Sequence, residues 1–503
     1  MKSRAALFMN PSWRGHSCPL CFGDFAGFAP RVRDRSVPVT AWILLLPSVS
    51  PAAEPSLRDQ ATTGMKRAAE FFRAKAASHG GYVYYHSLDL TQRWGEGKAT
   101  ADQIFIQPSG TPAVGLAFLK AHAATGDKFY LDAAQAAAEA LVCGQLQPGG
   151  WAQVIDFDPH GAKAGLYRDG KSHGRNYSTL DAGITHSALS FLMHTDKALG
   201  FKHAAIHEAS EFARKAVVAA QHPTGAFPQV WTGPAPQYPT VKASFPDYEW
   251  RMENRLKNYY DMPTLNDALC PDIARTLEDS WTIYKDVRCC TALARLGDFL
   301  LLAQLPEPQP GWAQQYDFKM RPIWARKFES PALAGRESEG AIETLLQVHR
   351  DTGDAKYLEP IPRALDWLKR SHLPDGRLAR YYELRTNKPL FMTADCQLTH
   401  DDGNVPAHYG WKHEAHIEQL EKSLAAAESG KAKAPQPKAP TEAHVRQILR
   451  DLDSEGRWVS TATEGMKLVG QPKFATGFKF LASEVFNRNL EALSDYVAAM
   501  AGK

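Results

Sequence analysis

Apolar residues recur at helical spacing through most of the chain, for example Val114, Leu116, Leu119 and Ala123, and Ile342, Leu345 and Leu346 ahead of His349. This three-to-four-residue period predicts amphipathic helices, and Asp or Thr at plausible caps marks their starts. The helical runs also repeat. Thr125-Gly126-Asp127 leads through Tyr130-Leu131 and a helical run ending at Leu146 to Pro148-Gly149-Gly150-Trp151, and Thr352-Gly353-Asp354 leads through Tyr357-Leu358 and a run ending at Leu368 to Pro374-Asp375-Gly376. The spacing from Gly126 to Gly149 equals that from Gly353 to Gly376, 23 residues. Weaker copies end at Pro223-Thr224-Gly225-Ala226-Phe227 and Pro310-Gly311-Trp312, and three turns continue as aromatic-x-Gln at Gln153, Gln229 and Gln314. Such units cannot bury their apolar faces alone. Stacked, they form a solenoid or a closed ring of hairpins, which predicts an all-α fold, an α/α toroid with long site-forming loops at one end. Ser87 to Pro112 and Gln153 to Ser178, rich in Gly and polar residues, are the loops expected to form the site.

Outside the repeats the pattern changes twice. Val39 to Leu46 is a short apolar run behind Arg31, Arg33 and Arg35 and ahead of Ser50-Pro51-Ala52-Ala53, the layout of a secretory signal. Residues 1–53 are therefore expected to be a leader and signal peptide, and the mature protein to be periplasmic or extracellular. Lys431 to Pro440 is a polar, Pro-rich linker. The expected organisation is a toroid over 54–428, a linker over 429–441 and a helical tail over 442–503, whose last helix spans Ser483 to Met500.

The chain has 503 residues and a net charge of +3. Residues 1–53 hold six basic and two acidic side chains, so the remainder carries −1, which gives no support for a nucleic-acid partner. No other stretch is apolar for long enough to span a membrane. Five of the seven cysteines lie beyond residue 53, an odd number that does not make a disulfide scaffold, and most are expected to be small buried hydrophobes. A monomer is expected.

Seven motifs occur in order: Gly149-Gly150-Trp151, Ser178-Thr179-Leu180-Asp181, Asn266-Asp267-Ala268-Leu269, Gly311-Trp312-Ala313-Gln314-Gln315-Tyr316-Asp317, Ala325-Arg326-Lys327-Phe328-Glu329, Gly335-Arg336-Glu337-Ser338 and Ala379-Arg380-Tyr381-Tyr382-Glu383. This series resembles the family 10 pectate lyases over roughly residues 60–395. The resemblance implies cleavage of polygalacturonate by calcium-assisted β-elimination. By motif position, Arg326 matches the arginine base, Asp181 and Asp267 match site aspartates, and Arg380 matches a basic residue that binds a uronate carboxylate. The chain departs from the family pattern at Ala152-Gln153, at Ala182 and at Ala394, where the family carries an arginine.

The residue types suit that chemistry. Elimination across C4 and C5 of a uronate removes a weakly acidic proton beside a carboxylate, so the developing enolate-like charge must be neutralised. Ca2+ takes oxygen ligands, and Asp181 and Asp267 are expected to supply two. Each aspartate could instead be a helix N-cap. Arg326 could be an ion-pair partner of Glu329 or Glu337. Asp317 is expected either to orient Arg326 or to touch substrate, and Trp312 to be either a staple of the ring or a sugar platform. Tyr381 beside Arg380 suits stacking on a sugar acid. An acidic-glycan-binding toroid without catalysis, and a glycoside hydrolase using two opposed carboxylates, are the alternatives.

Overall fold

The computed structural model describes residues 55–252, 255–407, 409–431 and 439–501. The expected leader and the Cys18-x-x-Cys21 pair lie outside the described residues, as do residues 432–438 of the expected linker. Twelve α-helices are present among the described residues: α1 (Leu57–Phe71), α2 (Thr111–Thr125), α3 (Lys128–Cys143), α4 (Ile184–Ala198), α5 (Ala204–Ala220), α6 (Leu269–Tyr284), α7 (Val287–Ala303), α8 (Gly335–Thr352), α9 (Ile361–Arg370), α10 (Ile417–Glu428), α11 (Glu442–Arg450) and α12 (Ser483–Ala501). None is long and apolar enough to cross a membrane.

The helices form the expected α/α toroid of hairpins. An inner row runs α12, α2, α4, α6, α8, α10, each helix packed on the next, and α1, α3, α5, α7 and α9 flank it. Asp127 and Asp286 cap α3 and α7 by accepting the amides of Phe129 and Arg288, and left-handed Gly126 and Gly353 end α2 and α8. The second long repeat breaks where the first does not. Its helix begins as a single 3-10 turn, Ala355–Tyr357, and the α-helix proper starts only after Pro360. Proline lacks the amide donor that would continue the first turn into the second.

Buried glutamines tie successive hairpins together. The side-chain amide of Gln145 donates to the carbonyls of Gly149 in its own turn and Ala209 in α5, both at 3.0 Å. Gln221 does the same to Gly225 and to Ala292 in α7, at 2.9 and 2.8 Å. Gln304 does so to Pro310 and Pro360, at 2.9 and 3.1 Å. The turn tryptophans then close the ends of the outer helices: the Trp151, Trp312 and Trp458 indoles donate to Leu141, Leu300 and Ile448 carbonyls at 2.8 to 2.9 Å. Gly225 is fixed by geometry, with φ of +92° and a missing Cβ that would lie 1.9 Å from the Arg295 carbonyl oxygen.

The final helix matches expectation to within one residue, but the chain before it is not all helical. Lys479–Ala482 pairs with both Val459–Thr461 and Tyr85–Ser87 in a five-stranded sheet, and α12 packs on α1 and α2. The long segment after Ser87 also forms strands. Gln103–Phe105 pairs with Val154–Asp156, so the two loops expected to enclose the site are bonded to each other. Of the five cysteines, Cys270 and Cys289 are buried, Cys290 and Cys396 half-buried and Cys143 exposed, and all are free.

Replacing Gln145 by Ala leaves the buried Gly149 carbonyl without this partner, at about 1–3 kcal/mol, and removes a second buried bond, to the Ala209 carbonyl inside α5, worth about 0.5–1.5 kcal/mol. Urea unfolding of Gln145→Ala should therefore show a loss of roughly 2–4 kcal/mol, whereas Gln135→Ala, which removes only a helix-surface bond to Glu139, should cost less than about 0.5 kcal/mol. Equal losses would remove the glutamine from this coupling role.

Candidate active site

Two turns of matching design open α4 and α6. In each, a threonine hydroxyl accepts the amide two residues on: Thr179 from Asp181 at 3.0 Å and Thr264 from Asn266 at 3.1 Å. The same hydroxyls donate to the backbone carbonyls of Gln229 and Gln314, which also take the amides of Leu180 and Leu265 at 2.9 Å. The aromatic-x-Gln element of each following unit thus holds the turn of the unit before it. Gln153 completes the series by accepting from Ile106.

Each turn then passes through two left-handed residues, Ala182 (φ +48°) and Gly183 (φ +77°) in one, Asp267 (φ +51°) and Ala268 (φ +59°) in the other. Left-handed residues other than glycine are uncommon and persist where surrounding bonds over-determine them. In this register Asp181 corresponds to Asn266, and Ala182 to Asp267. The aspartates therefore occupy successive, non-equivalent positions and approach from different angles. Neither caps a helix: Gly183 and Ala268 stand at the caps of α4 and α6, with no side-chain cap bond at either.

Arg326 reaches both carboxylates. Its Nη1 lies 3.4 Å from Asp181 Oδ2 and its Nη2 3.1 Å from Asp267 Oδ2. Glu329 holds the other side, accepting the Arg326 amide at 3.1 Å and Nε at 2.9 Å. A tight turn with Ala325 N to Glu329 O and Glu329 N to Arg326 O, both 3.0 Å, makes that double bond possible. Three carboxylates thus share one guanidinium. Glu337, the other partner considered for Arg326, instead lies 3.9 Å from Arg380 Nη2.

Burial shapes the charges here. Desolvation, with Asp267 adding repulsion against the pull of Arg326, pushes the Asp181 carboxyl up to about 6. Burial also opposes ionisation of Asp267, but Arg326 wins and holds it below the ordinary carboxylate range. For Arg326 itself, burial disfavours the charge, yet Glu329, Asp181 and Asp267 outweigh it and hold the guanidinium above its ordinary value.

Arg380 lies next to this group. Its guanidinium sits 4.8 Å from the Tyr409 ring centre, and its Nε donates to the Tyr381 hydroxyl at 3.2 Å. Asp267 and Arg380 line one cavity of about 150 Å3 together with Glu337, Glu339 and Arg336.

Three expected substrate contacts take other roles. Trp312 is fully buried with its indole bonded to Leu300, so it staples the ring and presents no face to a sugar. Tyr381 is 1% exposed, and its hydroxyl joins Gln314 Oε1 at 2.5 Å and Tyr409 at 3.0 Å, so it supports Arg380 from beneath. Asp317 accepts Arg321 Nε at 3.0 Å and the Lys319 and Arg321 amides at 2.9 Å. It therefore closes its own loop and does not orient Arg326. Tyr409 and Tyr259 were not anticipated. Tyr409 lies far along the chain without a motif, and the half-buried Tyr259, close enough to Arg326 and Asp181 to feel their charges, comes from a loop with no periodic signal.

As a cation site the group offers oxygen only, which suits a hard ion. Asp181 Oδ1 and Asn266 Oδ1 are buried without a hydrogen-bond partner. No set of three or more His, Cys, Asp or Glu side chains placed to hold a metal occurs among the described residues, so the two carboxylates would need ligands from substrate and water.

An acid whose pKa is raised by folding weakens the fold as pH rises from its unfolded toward its folded value. In the presence of a chelator, Asp181→Asn should therefore be more stable than the parent at pH 8, and that advantage should shrink between pH 6 and pH 4. Chemical denaturation at several pH values checks this, and a constant difference would count against a raised Asp181.

Residues 145–378 match the family model described as pectic acid lyase. No curated protein matches the chain. Among solved structures, a family 10 polysaccharide lyase from Cellvibrio cellulosa is similar at 20% identity, covering 64% of this chain and 97% of that one, with a TM-score of 0.45. A mutant of a family 10 polysaccharide lyase from the same organism, in complex with trigalacturonic acid, aligns at 20% identity over 63% of this chain and 98% of that one, with the same score. Cellobiose 2-epimerase from Spirochaeta thermophila aligns at 14% identity over 90% of this chain and 100% of that one, also at 0.45. The family match takes in Asp181, Asp267, Arg326, Glu329 and Glu337 and ends two residues before Arg380. Residues 145–378, which carry the guanidinium and its three carboxylates, are thus the part of the chain that is similar to the pectic acid lyase family.

Proposed function

We propose that the protein is a polysaccharide lyase that cleaves polygalacturonate or a related polyuronate by β-elimination. The observation that carries this reading is the convergence of Arg326 on Asp181 and Asp267 within the family segment. In the reaction the C5–H and C4–O4 bonds break, a C4=C5 double bond forms, and the leaving O4 takes a proton from water. Arg326 is the group that removes the C5 proton, and Glu329 holds its Nε and amide so that the two terminal nitrogens are left for Asp181 and Asp267. A protonated guanidinium is no base, so Arg326 must first give a proton to hydroxide, a loss that alkaline pH and release from Asp181 and Asp267 both favour. Ca2+ bound by these two aspartates with a substrate carboxylate would neutralise the enolate-like charge that develops beside C5. Arg380, cushioned on Tyr409 and Tyr381, binds a uronate carboxylate of the chain. The arginine-led apolar run before Ser50 supports secretion, where such a polymer would be met.

Incubation with polygalacturonate at alkaline pH should produce ultraviolet absorbance from the unsaturated uronide, dependent on calcium. Arg326→Ala should lower the rate at least ~100-fold. Folded protein that releases reducing ends without this absorbance would be a hydrolase, and protein that retains polymer without cleaving it a binding module.

For Arg380→Ala the main effect should be on KM, raised about tenfold or more for loss of a charge-assisted contact. Arg380→Lys should restore little, because an ammonium cannot reproduce the planar fork. Initial rates over a range of oligogalacturonate concentrations check this, and an unchanged KM would take Arg380 out of the substrate site.

A further inference from the structure

Arg326 spends its donors in an unusual way. Only Nε and the backbone amide go to Glu329, its near neighbour in sequence, whereas each terminal nitrogen goes to a carboxylate from a different turn, Asp181 before α4 and Asp267 before α6. Those turns are separately built and separately held, by the Gln229 and Gln314 carbonyls. The guanidinium is therefore the positive charge that lets two like-charged carboxylates stand at the same point. Without it, two partly exposed carboxylates face each other, and one of them, through Asp181 Oδ1, already carries a buried oxygen with no partner. Three carboxylates around one guanidinium leave the group net negative, so it still attracts a further cation.

We propose that Arg326 is the resident counter-cation of the Asp181–Asp267 pair and competes with calcium for it, so that calcium affinity is set by how readily Arg326 yields those two oxygens. The inference rests on the calcium-assisted reading above. Glu329 makes the exchange workable, because its two bonds do not involve the aspartates. They keep the side chain anchored beside the pair when the terminal nitrogens are released toward the cleft. One residue thus blocks the cation site while the protein is idle and is freed when the site fills, which couples cation binding to the presentation of the base. By linkage, anything that strengthens the Arg326 contacts to the pair weakens calcium binding by the same factor.

The test measures calcium binding directly, by isothermal titration calorimetry on the full chain without substrate. Arg326→Ala and Arg326→Gln both remove the competing charge, and the glutamine variant keeps most of the side-chain volume in case the alanine variant folds poorly. Both should bind Ca2+ at least tenfold more tightly than the parent, while Asp181→Asn should bind it more weakly than the parent. A merely structural role for Arg326 would predict weaker binding, through loss of order at the site. Unchanged or weaker binding by the two Arg326 variants, with measurable binding by the parent, overturns the competition and leaves calcium assistance standing. No binding by the parent or by either Arg326 variant overturns both.

Discussion

Successive hairpins are joined through backbone carbonyls that a neighbouring unit supplies, and the site depends on this exchange. The carbonyls of Gln229 and Gln314 each take two hydrogen bonds from the turn of the preceding unit, one from a leucine amide and one from a threonine hydroxyl. Both turns contain left-handed residues other than glycine, which they would not hold in isolation. The bonds from the next unit supply what the local sequence lacks. The buried side chains of Gln145, Gln221 and Gln304 set the spacing between units on the outer side, so a turn and the carbonyl that fixes it cannot drift apart.

Repetition also explains how two acidic groups come to share one guanidinium. The turns before α4 and α6 are structural copies, yet their aspartates sit one position apart within the copy. The offset lets Asp181 and Asp267 point their Oδ2 atoms at different nitrogens of Arg326. Both lie where a helix begins, and the positive end of the helix dipole further favours negative charge there. Arg326 comes from a third unit, held by Glu329 in a turn of its own. Each participant is therefore positioned by its own loop, and the charges balance only when all three loops are assembled. Arg380, from a fourth unit, rests on Tyr381 and Tyr409 beside them.

The sequence by itself determined the hairpin repeat, its helical period and the glycine turns, because these follow from the spacing of apolar residues and from backbone geometry at Gly126, Gly353 and Gly225. Ordered motifs were likewise enough to single out Asp181, Asp267, Arg326 and Arg380, which the fold brings to one place. Direction was not legible in them. Trp312, Tyr381 and Asp317 lie in the same ordered series of motifs as the site residues, but the first two turn into the core and the third folds back on Arg321. Whether a side chain at a turn faces a cleft or a neighbouring helix depends on what packs behind it. The strands of the tail and the mutual pairing of the two long loops were hidden for the same reason, since their partners lie far away along the chain. Only the tertiary structure decided that one guanidinium would be held by three carboxylates from three separate turns, because Coulomb interactions act over a few ångströms of space and take no account of distance along the chain.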